Sequence, residues 1–337
     1  MAAITSHVTS EEYFGMRPMD PMQDLGGVAD LIEEAFADEL DQSGQNALQE
    51  LRWLSRVKPV LWWMVYANPD HSDFLSGFVW EEDQKIVGNI TVNKTGVGSR
   101  RWLISNVAVA KGYRRRGIAR GLMYAAIELV HDYKGAYVSL QVRADNDPAR
   151  RLYQELNFKE ISGTTQLGAK SVPPVTDLPP IPGVVSLRPR NFDLADARAV
   201  YKLATEATPL TVQREWPLRQ SQYELGSSEY LDNLLNWLQG GGSAAHWVVE
   251  DGRRLVASLN VYPGTWGKRH QLELMVHPDW RGILEAPLAA RALEYLAKWP
   301  KRGIFIKHPS YHPQAIEAFQ ALGLKVHQTL IWMKRDM

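Results

Sequence analysis

Between Trp102 and Ala110 the stretch WLISNVAVA alternates apolar and polar positions, the period of a half-buried strand. From Ile118 to His131 the period changes, and Ile118, Leu122, Ala125, Ala126 and Leu129 share one face of a helix. The KGYRRRG stretch between them is too charged and too rich in glycine to extend either element, so it predicts a loop from strand to helix. Upstream, FVWEEDQKIVGNITV predicts a hairpin with a polar turn, and downstream AYVSLQV predicts a further strand. Ala149, Leu152, Tyr153 and Leu156 then form an i, i+3, i+4, i+7 stripe, with Asp147 suited to cap that helix and Pro148 to its first position.

The same succession occurs twice. Arg17-Pro18 in YFGMRPMDPMQDLGGVADLIEEAF matches Arg188-Pro189 in VVSLRPRNFDLADARAVYKLATEA at an offset of 171 residues. Ile86-Val87 matches Leu255-Val256 at 169, and Tyr153 matches Phe319 at 166. A slowly drifting offset over the whole length is the trace of a duplication. Each copy predicts strand, helical region, hairpin, strand, helix, strand, helix and closing strand, an α/β fold in which helices pack on a mixed sheet (α+β). The five prolines of GAKSVPPVTDLPPIPGV favour extended chain, which places domains at 1–168 and 184–337 with a linker at 169–183. The first helical region, QNALQELRWLSRVKPVLWWMVY, is broken at Pro59 and carries Trp53, Trp62 and Trp63, side chains suited to an apolar or cationic wall.

Composition narrows the chemistry. A chain of 337 residues, 45% of them hydrophobic, exceeds what one core usually organises. Lys and Arg (38) balance Asp and Glu (38), so no overall field attracts nucleic acid or an anionic membrane. No apolar run approaches the roughly 20 residues that span a bilayer, and the N-terminus lacks a basic start with an apolar core, so a cytoplasmic location is expected. The absence of cysteine excludes disulfides, thiolate metal sites and a covalent cysteine intermediate.

Against that balance, YRRRGIARGL from Tyr113 to Leu122 packs four arginines and two glycines into ten residues. A nucleic-acid patch would need an aromatic platform beyond Tyr113 and a wider basic surface. The remaining readings are a solvated loop and a phosphate cradle. The cradle follows from position: N–H groups at a helix start are unpaired and that end of the dipole is positive, while Gly117 lets the main chain approach an anion closely.

Arg114-x-x-Gly117-x-Ala119, with its strand before and its helix after, resembles the pyrophosphate signature of the GNAT acetyltransferase superfamily. NDPARRLYQELNF resembles the second signature of that family, with Asn157 where glycine is usual. Taken alone, Tyr153 reads as a core aromatic, and it is the pairing of the two motifs that reverses this. The resemblance implies two tandem GNAT folds and acetyl-CoA as cosubstrate, with no metal. It implies pantetheine paired along Val107, Ala108 and Val109 like an added strand. The pyrophosphate would rest on Arg114, Arg115, Arg116, Gly117, Ile118, Ala119 and Arg120, with Asn146 and Ala149 completing the cofactor contacts. An amine would attack the thioester directly, an N–H of 107–109 would hold the oxyanion, and Tyr153 would protonate the departing thiolate.

Several relatives carry a base at positions that correspond to Leu103 and Ser105, neither of which takes a proton here. Glu81, Glu82, Glu33, Glu34 and Asp38 are the open alternatives; Asn106 and Glu81 are candidate acceptor contacts. In the second copy HPDWRGILEAPLAARAL puts Leu284 at the Gly117 position, His312 at Asn146 and Phe319 at Tyr153, so loop, polar contact and acid are lost together. That half is expected to fill its cradle with a side chain and to act structurally. His308 and His312 are spaced i, i+4, but Pro309 and Pro313 disfavour a regular helix and no third ligand is in view. The expected partner is a small-molecule amine or a peptide, with a non-catalytic acyl-CoA sensor as the alternative. Monomer, as an internal pseudo-dimer, and homodimer both remain open.

Overall fold

The computed structural model describes residues 15–36, 48–49, 52–53, 76–96, 98–225, 242–264 and 268–337. Asp38, Pro59, Trp62 and Trp63 lie outside them. The first repeat runs β1 (Gly15–Pro18), α1 (Pro21–Phe36), β2 (Gly77–Glu82), β3 (Lys85–Lys94), β4 (Arg101–Val109), α2 (Ile118–Asp132), β5 (Tyr137–Arg143), α3 (Asp147–Glu155) and β6 (Lys159–Ala169). The second runs β7 (Ser186–Pro189), α4 (Leu194–Ala207), α5 (Leu210–Glu215), β8 (Ala245–Asp251), β9 (Arg254–Tyr262), β10 (Gln271–Val276), α6 (Glu285–Leu296), β11 (Ile304–Pro309), α7 (Pro313–Ala321) and β12 (Lys325–Asp336).

Contacts divide the chain into two compact units, and the division follows sequence order only in part. The first unit takes residues up to Gln141, Pro148–Lys159 and Met333–Met337; the second takes Val142–Asp147 and Glu160–Trp332.

In the first unit the strands lie in the order β1-β2-β3-β4-β5, antiparallel as far as β4, with β5 parallel to β4. Helix α2 buries Ile118, Leu122, Met123, Ala126 and Val130 against this sheet, each large side chain contributing about 2 kcal/mol of transfer free energy. The approach is close because β3 carries Gly88: a Cβ there would meet Ile118 Cγ2 at 2.8 Å and Leu122 Cδ1 at 3.1 Å. The last residues of the chain return to this unit, where Arg335 Nη1 donates to Leu156 O at 2.8 Å and Met337 N–H to Ala136 O at 3.2 Å.

In the second unit β7 to β10 form an antiparallel sheet in the order β10-β9-β8-β7. Strand β6, which precedes the proline-rich stretch, pairs here with β11 from Thr164↔Pro309 to Ala169↔Ile304 and has β12 on its other side. Thr165 Oγ1 meets Thr329 Oγ1 at 3.0 Å across that second edge. The proline-rich stretch is packed chain: Val172, Val175 and Ile181 rest against the core formed by Leu167, Leu259, Leu288, Leu293, Ile306 and Phe319.

The duplication is visible atom by atom. Arg17 donates through Nη1 to Asp24 Oδ2 at 2.6 Å and through Nε to Glu81 Oε2 at 2.8 Å. In the second unit Arg188 Nη1 reaches Asp196 Oδ2 at 2.7 Å and Nε reaches Glu250 Oε1 at 2.9 Å. Each network ties the first strand of its repeat to its first helix and hairpin. The Arg188 guanidinium holds the Asp196 carboxyl below the usual aspartate range, against the opposing effect of burial. A depressed folded-state pKa gives stability that is present above the unfolded value and lost as pH falls through the lower folded one. Replacing Arg188 by Met is therefore expected to cost about 2 kcal/mol at pH 7, with the difference from the parent shrinking as the pH falls below 4; urea midpoints of both chains across pH check it.

Candidate active site

The parallel ladder between β4 and β5 runs only from Arg101↔Tyr137 to Ile104↔Leu140. Two residues later β4 carries a bulge, because the β3 register shifts between Asn89↔Ala108 and Thr91↔Ser105. Asn106 sits at the shift with φ 52°, a left-handed conformation that asparagine tolerates better than most residues. Its carbonyl accepts from Asn89 Nδ2 at 3.0 Å, and its own Nδ2 donates to Thr91 Oγ1 at 3.3 Å, so two side chains of β3 fix the bulge. Ala110 N–H points to β3, where it donates to Val87 O at 2.9 Å. Strand alternation then turns the main-chain groups of Val107 and Val109 the other way, past the end of the β5 ladder.

Beyond β4 a single 3-10 turn, Lys111–Tyr113, delivers Arg114 in extended conformation, Arg115 at φ 64° and Gly117 at φ 84° as the N-cap of α2. No side chain caps this helix. A Cβ built on Gly117 meets nothing within 4 Å. Glycine is thus required by the backbone angle, and the space beside it is open. The N–H groups of Ile118, Ala119 and Arg120 open into that space with the positive end of the helix dipole behind them.

Most of the arginines are engaged with the protein. Arg114 Nε donates to Val109 O at 3.1 Å. Arg116 donates to Gly112 O at 3.1 Å, lies 4.9 Å over the Tyr113 ring and is 3.8 Å from Glu82. Arg120 pairs with Glu155 on α3, tying that helix to α2. Arg115 is exposed and has no partner among the described residues.

Tyr153 is 6% exposed and lies 6.1 Å from Phe158, ring centre to ring centre. Its hydroxyl makes no hydrogen bond to the described residues, and burial pushes the phenol up to about 12, so it stays protonated. Ala149 stands a turn earlier on α3. Asn157 adopts φ 64°, doing with asparagine what glycine usually does after such a helix. Asn146 falls in the second unit, in the turn where its N–H donates to Arg143 O at 3.1 Å.

The carboxylates named as bases are occupied. Glu81 belongs to the Arg17 network, which recurs around Glu250 in the other unit and so has a structural role in both. Glu82 accepts from Trp80 Nε1 at 3.2 Å, Glu33 pairs with Arg52 at 2.6 Å, and Glu34 accepts the Lys111 N–H at 3.0 Å, which anchors the loop. Trp53 is exposed.

The second repeat makes the same turn and closes it. A 3-10 turn (Pro278–Trp280) leads to Arg281, then Gly282 at φ 82°, and Leu284 occupies the N-cap of α6, the position of Gly117. Leu284 itself points into the core with no exposed surface. The group that satisfies the turn is its neighbour Glu285, whose Oε2 accepts the Gly282 N–H at 2.7 Å. The side chain that holds the turn is a carboxylate rather than the expected leucine, because the group it meets is an N–H donor. Glu285 Oε1 also meets His312 Nε2 at 2.7 Å, and His312 Nδ1 meets His308 Nε2 at 3.0 Å. Among the described residues no group of three or more His, Cys, Asp or Glu could hold a metal. No described helix is long and apolar enough to cross a membrane.

Residues 33–158 match the acetyltransferase (GNAT) family. This segment is similar to a GNAT domain. It contains β4, the loop at Gly117 and Tyr153, the elements on which the site is built. An N-alpha-acetyltransferase of Saccharolobus solfataricus is 40% identical over 63 residues, 18% of this chain and 38% of that protein. An N-alpha-acetyltransferase of Sulfurisphaera tokodaii is 34% identical over 94 residues, 25% of this chain and 56% of that one. The chain thus spans about two fifths to just over half of the length of these relatives. A GCN5-related N-acetyltransferase from Sphaerobacter thermophilus, 16% identical, superimposes with a TM-score of 0.58 over 95% of both chains. That likeness extends the GNAT fold over both repeats.

The two N-caps of this pair of GNAT folds should respond to substitution by different amounts. Gly117→Ala is expected to cost about 1 kcal/mol through the backbone alone, since its Cβ meets no atom. Leu284→Gly removes a fully buried side chain and is expected to cost about 3 kcal/mol or more, read from urea unfolding of the full chain.

Proposed function

We propose that the protein is an N-acetyltransferase that moves an acetyl group from acetyl-CoA to a primary amine by direct attack, using the site of the first unit alone. The observation that carries this reading is the contrast at the two helix starts: the first has Gly117 as its N-cap beside open space, and the second has the buried Leu284 there, followed by the buried carboxylate of Glu285, which holds the Gly282 N–H of the turn. A helix start left uncapped beside open space fits a phosphate group. Acetyl-CoA would supply the activated thioester.

In this reading the N–H groups of Ile118, Ala119 and Arg120 hold pyrophosphate oxygens, and Arg115 adds the one loop guanidinium without an internal partner among the described residues. Val107 and Val109 offer main-chain groups to the pantetheine amides and to the thioester carbonyl oxygen. Tyr153, neutral and without a hydrogen-bond partner among the described residues, donates toward sulfur. Asn106 lies beside the Val107 amide and faces the acceptor side through its bulge. The described carboxylates of the first unit that could act as bases already have partners, so the amine sheds its proton to water. Two relatives are called N-alpha-acetyltransferases, which makes peptide amino termini the first acceptors to test beside small amines.

The test is a free-CoA release screen with acetyl-CoA and a panel of amines and peptides. Tyr153→Phe is expected to lower kcat about 100-fold while acetyl-CoA still binds. Equal turnover by this variant would remove Tyr153 as the acid; tight acetyl-CoA binding without turnover on any acceptor would favour a sensor. With the phenol raised to about 12, the pH profile of kcat should show no loss from tyrosine ionisation until pH nears that value.

A further inference from the structure

The second unit has lost the open helix start, yet it keeps a cavity of about 360 Å³. That volume lies within the roughly 300–1,000 Å³ of small-molecule sites. It opens where β10 and β11, bridged in parallel only at His270↔Ile304, part company. The first unit opens in the corresponding place, past the end of its β4–β5 ladder. Here β10 has no bulge: its ladder with β9 runs without a shift from Gln271↔Tyr262 to Val276↔Ala257.

The lining is built for a polar ligand. Ser258 lines the cavity, 3% exposed, and its Oγ has no hydrogen-bond partner among the described residues, an arrangement that costs free energy unless something else supplies one. Arg190, 5% exposed, brings a cation to the same lining, its Nη2 donating to Tyr223 O. His308 is 2% exposed and lines the cavity while its Nε2 is held by His312. Burial, then His312 and Arg281, push His308 down to about 3, so it is neutral. Asn260, in the same lining, donates from Nδ2 to Glu273 Oε2 at 3.2 Å. Glu273 and Lys307 stand exposed at the mouth with opposite charges.

By ladder register Glu273, opposite Asn260, holds the place that Ser105, opposite Thr91, holds in the first unit. The second repeat thus presents a carboxylate on the strand edge that lines its cleft, where the first presents a hydroxyl.

We propose that this cavity is a binding site for a small zwitterion of the α-amino-acid class, its ammonium at Glu273 and its carboxylate at Arg190 and Ser258. The site binds without turning over, because the neighbouring helix start carries the buried Leu284 and the buried carboxylate of Glu285 where the first unit has Gly117 and Ile118. It stands independently of acetyl transfer in the first unit, and its test reads binding alone.

Isothermal titration of the full chain with L-alanine, L-lysine and L-glutamate, beside acetate and ethylamine as single-charge probes, decides it. At least one amino acid is expected to bind at least about tenfold more tightly than either single-charge probe. Glu273→Gln and Ser258→Val should each weaken that binding about tenfold and leave acetyl-CoA binding unchanged. Glu273 is exposed, so its variant keeps the test decisive if the buried serine variant fails to fold. The proposal is overturned if no amino acid binds, if acetate or ethylamine binds as well, or if both variants bind like the parent. Binding that survives in both variants would place the amino acid elsewhere, as at an acceptor site of the first unit.

Discussion

A helix that follows a strand through a tight turn begins with N–H groups that its own backbone cannot satisfy, and the two repeats of this chain build the residues around that start differently. In the second unit Glu285 bends back onto Gly282, and the carboxylate, buried to 1% exposure, is held on its far side by His312 and through it by His308. That chain of hydrogen bonds joins the start of α6 to β11 and to the start of α7, and Leu284 is free to enter the core. In the first unit the counterpart of Glu285 is Ile118, which is buried and apolar, so nothing local closes the turn. Stability left unclaimed there is available to an anion that binds.

The strand before the turn carries the second asymmetry. One extra residue in β4 at Asn106 breaks the ladder with β3, and Asn89 and Thr91 use their side chains to hold it. Asn89 is fully buried and its Oδ1 has no partner among the described residues, which a protein tolerates where a strained backbone is put to use. Strand β10 is regular over the same stretch, and there Ser258 stands opposite Met275 where Asn89 stands opposite Ala108. Bulge and open helix start occur together in one unit and are missing together in the other, which couples them as parts of one site.

Much of this was legible because it depends on local pattern. Alternation and helical spacing located the strands and helices, and the repeated Arg-Pro and hairpin signals exposed the duplication, since backbone periodicity is written residue by residue. Asn157 at φ 64° and Gly323 at φ 92° follow the corresponding helices, as the placement of asparagine at a glycine position implied. What escaped is nonlocal. The Arg17 network joins residues 64 apart, so Glu81 looked available in the sequence and is engaged in the fold. Glu285 as the closing group required knowing that Gly282 aims its N–H back at the helix. The arginines of the loop looked like phosphate ligands as a set, whereas three of them hold the loop and α3 in place. Strand β6 belongs by sequence to the first repeat and packs in the second unit, a pairing that no local pattern encodes.

The duplication also serves as an internal control on what each residue is for. A feature kept in both repeats, one of which has closed its helix start, cannot owe its presence to a ligand at that start. The Arg17 and Arg188 networks and the turn that places Arg114 and Arg281 alike after a 3-10 segment fall in this class. Features present in one repeat only are the ones on which the proposed function rests. Gly117 against Leu284, the Asn106 bulge against a regular ladder, and a Tyr153 hydroxyl against Phe319 all fall on the same side of that division. They lie on three separate elements, a strand, a loop and a helix, so drift at a single place would not have removed them together. The acidic side chain follows the reverse order, Ser105 in the first cleft and Glu273 in the second. The second repeat therefore has a cleft whose polar lining is different in kind, and a buried serine without a partner among the described residues keeps that lining from being only a packed remnant.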